Sequence, residues 1–509
     1  MRTPLLSLVA LATVVAGACS GAATPAPQGD HRVDPPAHHQ PPPEPYPARP
    51  DPTPYDGVTY EDPGVQPYVD PVEDRVSTFA LDVDTASLGI AQRYVEDGHR
   101  PDPASVRVEE WVNAYDQGYR VPHHGTFSIV ADGGPTPFTD RNEILLRIGL
   151  QARDVRDRAR QDASLTFVVD TSGSMGREDR LELVKDALRG LVDRLGERDR
   201  VAIVTFGDEA MVRLWPTRAS DRWEIEDVID RLEPGGSTNL EHGLQLGYDL
   251  ARSALTEDGI DRVILASDGV ANVGLTDPEA ILDTIRRDAA AGIELVSVGV
   301  GMGNYNDVLL EQLADQGDGF YAYVNDRREA DRLFTEDLTG TLETVALDAR
   351  VQVEFDPETV VAYRQVGYEN RAIDDRDFRD PGVEAGAIGA GHSVTALYAV
   401  RLIGDVGRGG RLATISLRWT DPDTGRVEEI GHDVRAGDLA REFGSTDPFF
   451  RFDAVVATTA EVLRGSPWAG HLNLSDVARV AFRDVEALPP TDEVHDFLDL
   501  LERLARMDE

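Results

Sequence analysis

A chain of 509 residues, 41% hydrophobic and 28% charged, is too long for one compact core and has the composition of several globular domains. Its 92 acidic against 50 basic side chains give a formal charge of −42, which argues against nucleic acid as a partner, since that binding rests on neutralising phosphates. The single cysteine, Cys19, excludes intrachain disulfides and any multi-thiolate zinc site. Lys185 is the only lysine, so nearly all positive charge is arginine. Such a composition suits a soluble, cation-attracting surface, and GC-rich codon usage accounts for it without a binding role.

Arg2 precedes Leu5 to Ala18, an uncharged and mostly apolar run of 14 residues. The run is too short to span a bilayer as a stable helix and reads as a secretory signal peptide over 1–18. Ala16-Gly17-Ala18-Cys19 resembles the lipobox of bacterial lipoproteins, although Ala16 departs from the leucine-like residue usual at its position. The resemblance implies acylation of Cys19 and attachment to a membrane through lipid. Ser20, rather than aspartate, then favours the outer membrane of a diderm cell envelope. From Thr24 to Pro54 there are 12 prolines in 31 residues, with His31, His38 and His39 among them. This stretch cannot build a core, and 19–58 is expected to be a disordered, extended tether.

Order is expected from 59. Val76 to Asp84 has strand composition, Ala86 to Glu96 looks helical, and Phe127 to Val130 and Glu143 to Gly149 look like strands. Between them, Ala104 to Tyr115 carries Val106, Val108, Trp111, Val112 and Tyr115. From Ser164 the texture alternates. Leu165 to Val169 is a nearly continuous apolar run, as expected of a strand buried on both faces. The amphipathic stretch Arg180 to Leu195 follows. Val201 to Phe206, Val263 to Ala266 and Leu295 to Val300 are further β runs, separated by helical stretches at 241–254, 277–290 and 306–316. Strands and helices in this alternation predict an α/β body: a mostly parallel sheet with helices on both faces. β texture returns at Val351 to Phe355, Val394 to Leu402 and Leu412 to Trp419. Phe450 to Leu463 and Glu493 to Met507 look helical.

Asp170, Ser172 and Ser174 lie just past the first buried strand, at the sheet edge where open parallel sheets bind ligands. Alternate positions of an extended turn can aim three oxygens at one point. One carboxylate and two hydroxyls are hard donors, suited to magnesium or manganese. Thr238, in Gly235-Gly-Ser-Thr-Asn239, and Asp268, after Val263 to Ala266, offer two more oxygens. Asp-Thr-Ser-Gly alone is a common turn; five elements in order on a βα framework are not.

Together these residues resemble the metal-ion-dependent adhesion site of von Willebrand factor type A domains. The resemblance implies a Rossmann-like fold over 161–345 and a divalent ion, Mg2+ or else Mn2+ or Ca2+. Ser172 and Ser174 would coordinate it directly, and Asp170, Thr238 and Asp268 directly or through water. A partner protein would supply an acidic residue to the ion, giving metal-dependent adhesion or envelope assembly rather than catalysis. Phe79 to Ser87, Val106 to Asn113, Tyr363 to Arg371 and Gly389 to Tyr398 are similar to the flanking domains of a bacterial lipoprotein family that carries such a domain. The body is therefore expected as 59–160, an N-terminal α+β region; 161–345; 346–440, a β-rich region; and 441–509, a helical C-terminal region. Because 76–150 and 350–420 both read as β, they are expected to pair into one discontinuous sandwich. Oligomeric state is left open.

Two rivals follow from the same residues. Asp82-Val-Asp84 resembles the nucleophile motif of haloacid dehalogenase-type phosphatases, but Ala86 stands where that motif has threonine and Lys185 lies in another segment. The plainer reading is a strand end with Asp84 or Thr85 capping the helix from Ala86. The other rival is a lipoprotein scaffold whose metal supports folding only.

Overall fold

The computed structural model describes residues 60–508 apart from short internal stretches, the longest at 269–277 and 334–341. The segments assigned to signal peptide, lipid site Cys19 and tether lie outside the described residues, as does Asp82.

The N-terminal part supplies β1 (Val76–Ala80), α1 (Ala86–Glu96), α2 (Val108–Asn113), β2 (Phe127–Gly134) and β3 (Glu143–Ala152). The α/β body follows. It runs β4 (Ala163–Asp170), α3 (Arg180–Arg194), β5 (Arg200–Phe206), β6 (Ala210–Arg218), α4 (Arg222–Asp230), α5 (Leu240–Ser253) and β7 (Ile260–Ser267). It closes with α6 (Pro278–Ala289), β8 (Ile293–Val300), α7 (Asp307–Asp315) and β9 (Tyr321–Val324). The C-terminal part carries β10 (Thr344–Phe355), β11 (Val360–Val366), β12 (Gly386–Gly389), β13 (Ser393–Leu402), β14 (Arg411–Thr420) and β15 (Val427–Arg435). Then come α8 (Pro448–Leu463), α9 (Leu474–Arg483) and α10 (Asp492–Met507).

The central sheet has the order β6-β5-β4-β7-β8-β9, parallel except for β6. Strand alternation splits β4 between two cores. Leu165, Phe167 and Val169 face α3 and α4, while Val168 faces α5. Burial of both faces explains the nearly continuous apolar run. Tyr94 and Ile90 of α1 join the second core, so the N-terminal part packs directly on this body.

The expected pairing of the two β-rich segments is observed. β1 runs antiparallel to β10, with Phe79 opposite Val351, and β3 runs antiparallel to β13, with Ile148 opposite Ala396. One sheet has the order β1-β10-β14-β15 with β12 beside β10; the other is β11-β13-β3-β2. Phe79, Leu146, Ile148, Val351, Tyr398 and Leu417 share the core between them. On the outer face of the second sheet, Leu145 and Ala399 meet α2 and the C-terminal helices through Trp111, Phe450 and Leu501. Each leucine or phenylalanine buried this way contributes about 1.5–3 kcal/mol. Among the described residues no helix is long and apolar enough to cross a membrane.

Several elements were not legible in advance: β6, α4, β9, β15 and α9. β6 is an edge strand with exposed Trp215 and a proline at 216, and β15 is exposed at most positions, so neither carries a buried pattern.

Candidate metal centre

β4 delivers Asp170 at the carboxyl edge of the sheet, between parallel β5 and β7. The side chain is fully buried. Its Oδ1 accepts the Ser172 N–H at 2.7 Å, which turns the chain immediately after the strand. Its Oδ2 accepts the Ser267 hydroxyl, at the end of β7, at 2.8 Å. The turn brings the Ser172 and Ser174 hydroxyl oxygens to 3.0 Å of each other.

The Thr238 loop lies against this turn through the backbone. The Gly173 N–H donates to the Gly236 carbonyl at 3.0 Å, and the Gly235 N–H to the Thr171 carbonyl at 2.6 Å. Gly236 has φ +86°, and a Cβ there would lie 2.7 Å from the Asp208 carboxylate, so only glycine suits the position. Thr238 is buried on this loop, one residue before Asn239, whose side chain caps α5 by accepting the His242 N–H at 3.2 Å. Asp268 follows β7 directly and is fully buried. Its Oδ2 accepts from Arg180 Nη1 at 3.0 Å.

Burial, with the nearby Asp268 carboxylate, pushes Asp170 up to about 6, against hydrogen bonds from Ser172 and Ser267 that hold it down. Two buried carboxylates with two adjacent hydroxyls are a donor set that a small hard cation fits. Among the described residues no three His, Cys, Asp or Glu side chains gather into a metal cluster, so this centre relies on hydroxyls. When bound, such an ion would supply a positive, exchangeable coordination position. The chain's own part is to hold the oxygens and to exclude competing donors.

Comparison with known proteins identifies the domains that carry these residues. Residues 164–336 match the family model for the von Willebrand factor type A domain, and residues 55–146 match one described as von Willebrand factor. Residues 340–507 match the C-terminal part of the uncharacterized protein YfbK. YfbK of Escherichia coli is 32% identical over 457 residues, covering 84% of this chain and 78% of that protein. The chain belongs to the YfbK family. Human inter-alpha-trypsin inhibitor heavy chain H3 is 30% identical over 221 residues, which is 41% of this chain and 24% of that one. A solved von Willebrand factor type A protein from Catenulispora acidiphila covers 76% of this chain and 91% of its own, at 16% identity and a TM-score of 0.44. A type A domain implies a protein-interaction or adhesion role for this YfbK family member.

The phosphatase-like rival meets an occupied aspartate. Asp84 is buried, accepts the Tyr321 N–H at 2.9 Å and pairs with Arg371 at 2.8 Å. Arg371 also reaches Asp315 at 2.8 Å and Glu311 at 3.3 Å, and Glu311 pairs with Arg107 at 2.8 Å. These ions tie the N-terminal and C-terminal parts to α7 and β9. The expected cap is corrected in the same place: Thr85 is the N-cap residue of α1 but makes no side-chain capping bond, and the Asp84 carboxylate is taken up by the Tyr321 N–H of β9 and by Arg371.

Two site residues escaped the sequence reading. Ser267 follows the run Val263 to Ala266, where a strand-end hydroxyl is the available signal. Arg180 falls on the buried face of α3 with Val184, Ala187 and Leu188. An arginine at apolar spacing, at a helix end that disfavours cations, was the signal.

Proposed function

We propose that this protein is lipid-anchored through Cys19 in the bacterial cell envelope and binds a partner protein through a divalent ion. Asp170, Ser172, Ser174, Thr238 and Asp268 would hold Mg2+, or Mn2+ or Ca2+ in its place. The observation that carries the reading is the strand-end turn: Asp170 accepting the Ser172 N–H, with two serine hydroxyls 3.0 Å apart beside it. With hydroxyls making up most of its donors, the bound ion would keep an exchangeable water that an acidic side chain of a partner can replace. The role is adhesion or assembly, not catalysis.

The test is capture of envelope partners by the full chain with Mg2+ and again with chelator, using wild type and Ser172→Ala. Partners should appear only with wild type and Mg2+. The same partners in all four samples would sink the adhesion reading, and a chelator-induced loss of fold without a change in partners would favour the scaffold.

A further inference from the structure

Arg180 opens α3 directly after the turn that carries Ser172 and Ser174. The amino end of a helix repels a cation, so a buried arginine there needs a strong counter-charge. Asp268 provides it, at 3.0 Å, with side chains 3% and 0% exposed. The end of β8 gives way to the same side chain: Gly301 has φ +71°, and a Cβ there would lie 2.2 Å from Arg180 Nε and 2.8 Å from its Cζ. Helix start, strand end and Asp268 therefore converge to seat this one guanidinium.

We propose that Arg180 is a resident counter-ion of the centre, competing with a divalent ion for Asp268 and thereby weakening metal affinity. The inference rests on the metal-dependent reading above. Its physical content is charge. With Arg180, the carboxylates of Asp170 and Asp268 present a single net negative charge to an incoming ion; without it they present both. The same arginine leaves the loaded centre net positive, which favours an acidic partner over a self-neutralised site. It also keeps Asp268 paired when no ion is bound.

The experiment is calorimetric titration of the full chain with MnCl2, for wild type, Asp170→Ala, Arg180→Gln and Arg180→Lys, with folding checked by circular dichroism. Wild type should bind and Asp170→Ala should not. Arg180→Gln should bind roughly tenfold more tightly, and Arg180→Lys within about twofold of wild type. A folded Arg180→Gln that binds equally or more weakly overturns the proposal, because the arginine then only positions Asp268. If Arg180→Gln does not fold, Arg180→Lys decides: unchanged affinity supports competition by charge, and a marked loss overturns it. If wild type binds and Asp170→Ala binds as well, the metal site itself is misassigned. If neither wild type nor any Arg180 variant binds, the functional reading falls and this one with it.

Discussion

Glu461, on α8, and Asp170, at the end of β4, are both buried carboxylates, yet the first is held down to about 2 and the second pushed up to about 6. Burial raises both. At Glu461 it is outweighed by Arg364 and Arg464, donating at 3.0 and 2.6 Å, with the Ser466 hydroxyl at 2.8 Å. Arg464 is itself tied to Glu369 at 2.8 Å. At Asp170 the nearby charge is another carboxylate, and hydroxyl and amide donors only partly compensate. Glu461 is thus neutralised by arginines from β11 and from the end of its own helix, whereas Asp170 lacks a cation of its own at the candidate metal centre. A pairing that satisfies every charge is architecture; one that leaves a deficit is a site.

The largest expected effect breaks the first half of this contrast. Glu461→Gln leaves Arg364 and Arg464 buried with less counter-charge and should cost about 3–5 kcal/mol in urea unfolding. A loss below about 1 kcal/mol would remove the distinction between the two acids. The wild-type contribution also has a defined acid limit. Because the folded value of Glu461 is depressed, its stabilisation is present above the ordinary glutamate range and fades as pH falls toward about 2.

An intermediate effect belongs to the junction between the α/β region and the sandwich. His392 follows β12, its ring edge-on to Phe320, and burial, with Arg262 nearby, lowers it to about 4. The folded protein keeps it neutral while the unfolded chain protonates near 6.5, so stability should fall between about pH 6.5 and 4. The slope from this group is at most about 1.4 kcal/mol per pH unit. Urea midpoints of His392→Gln should therefore decline less steeply over that window; parallel curves for the two proteins would mean the histidine is not held neutral.

The smallest effect is expected at the candidate metal centre. Asp170→Asn keeps an acceptor for the Ser172 N–H and removes repulsion with Asp268, so stability in chelator should stay within about 1 kcal/mol of wild type. A loss of about 3 kcal/mol or more would make Asp170 a structural clamp like Glu461.

The site was more legible than its surroundings. Asp170, Ser172 and Ser174 are neighbours in sequence, and the strand that presents them is apolar on both faces, so spacing alone brings them to one edge. Thr238 and Asp268 follow from the same βα rhythm. Arg180 shows only as an arginine at apolar spacing, which does not name its partner, and the Asp84–Arg371–Glu311 network leaves no periodic trace, because the partners come from distant segments. The discontinuous sandwich was readable from two stretches of β texture, but β6 and β15, exposed along their edges, lack the pattern that buried strands carry.

The pairing of β1 with β10 and of β3 with β13 has a consequence for how the chain acquires its fold. The six central strands are contiguous in sequence and can close into their sheet as soon as residue 324 is available. Phe79 of β1 and Leu146 of β3 reach their sandwich partners only after the whole insert has been made. Long-range pairing of this kind is slow, and it leaves apolar strand faces waiting. The α/β insert can therefore fold ahead of its own frame, whose strands stay unpaired until the C-terminal half is made.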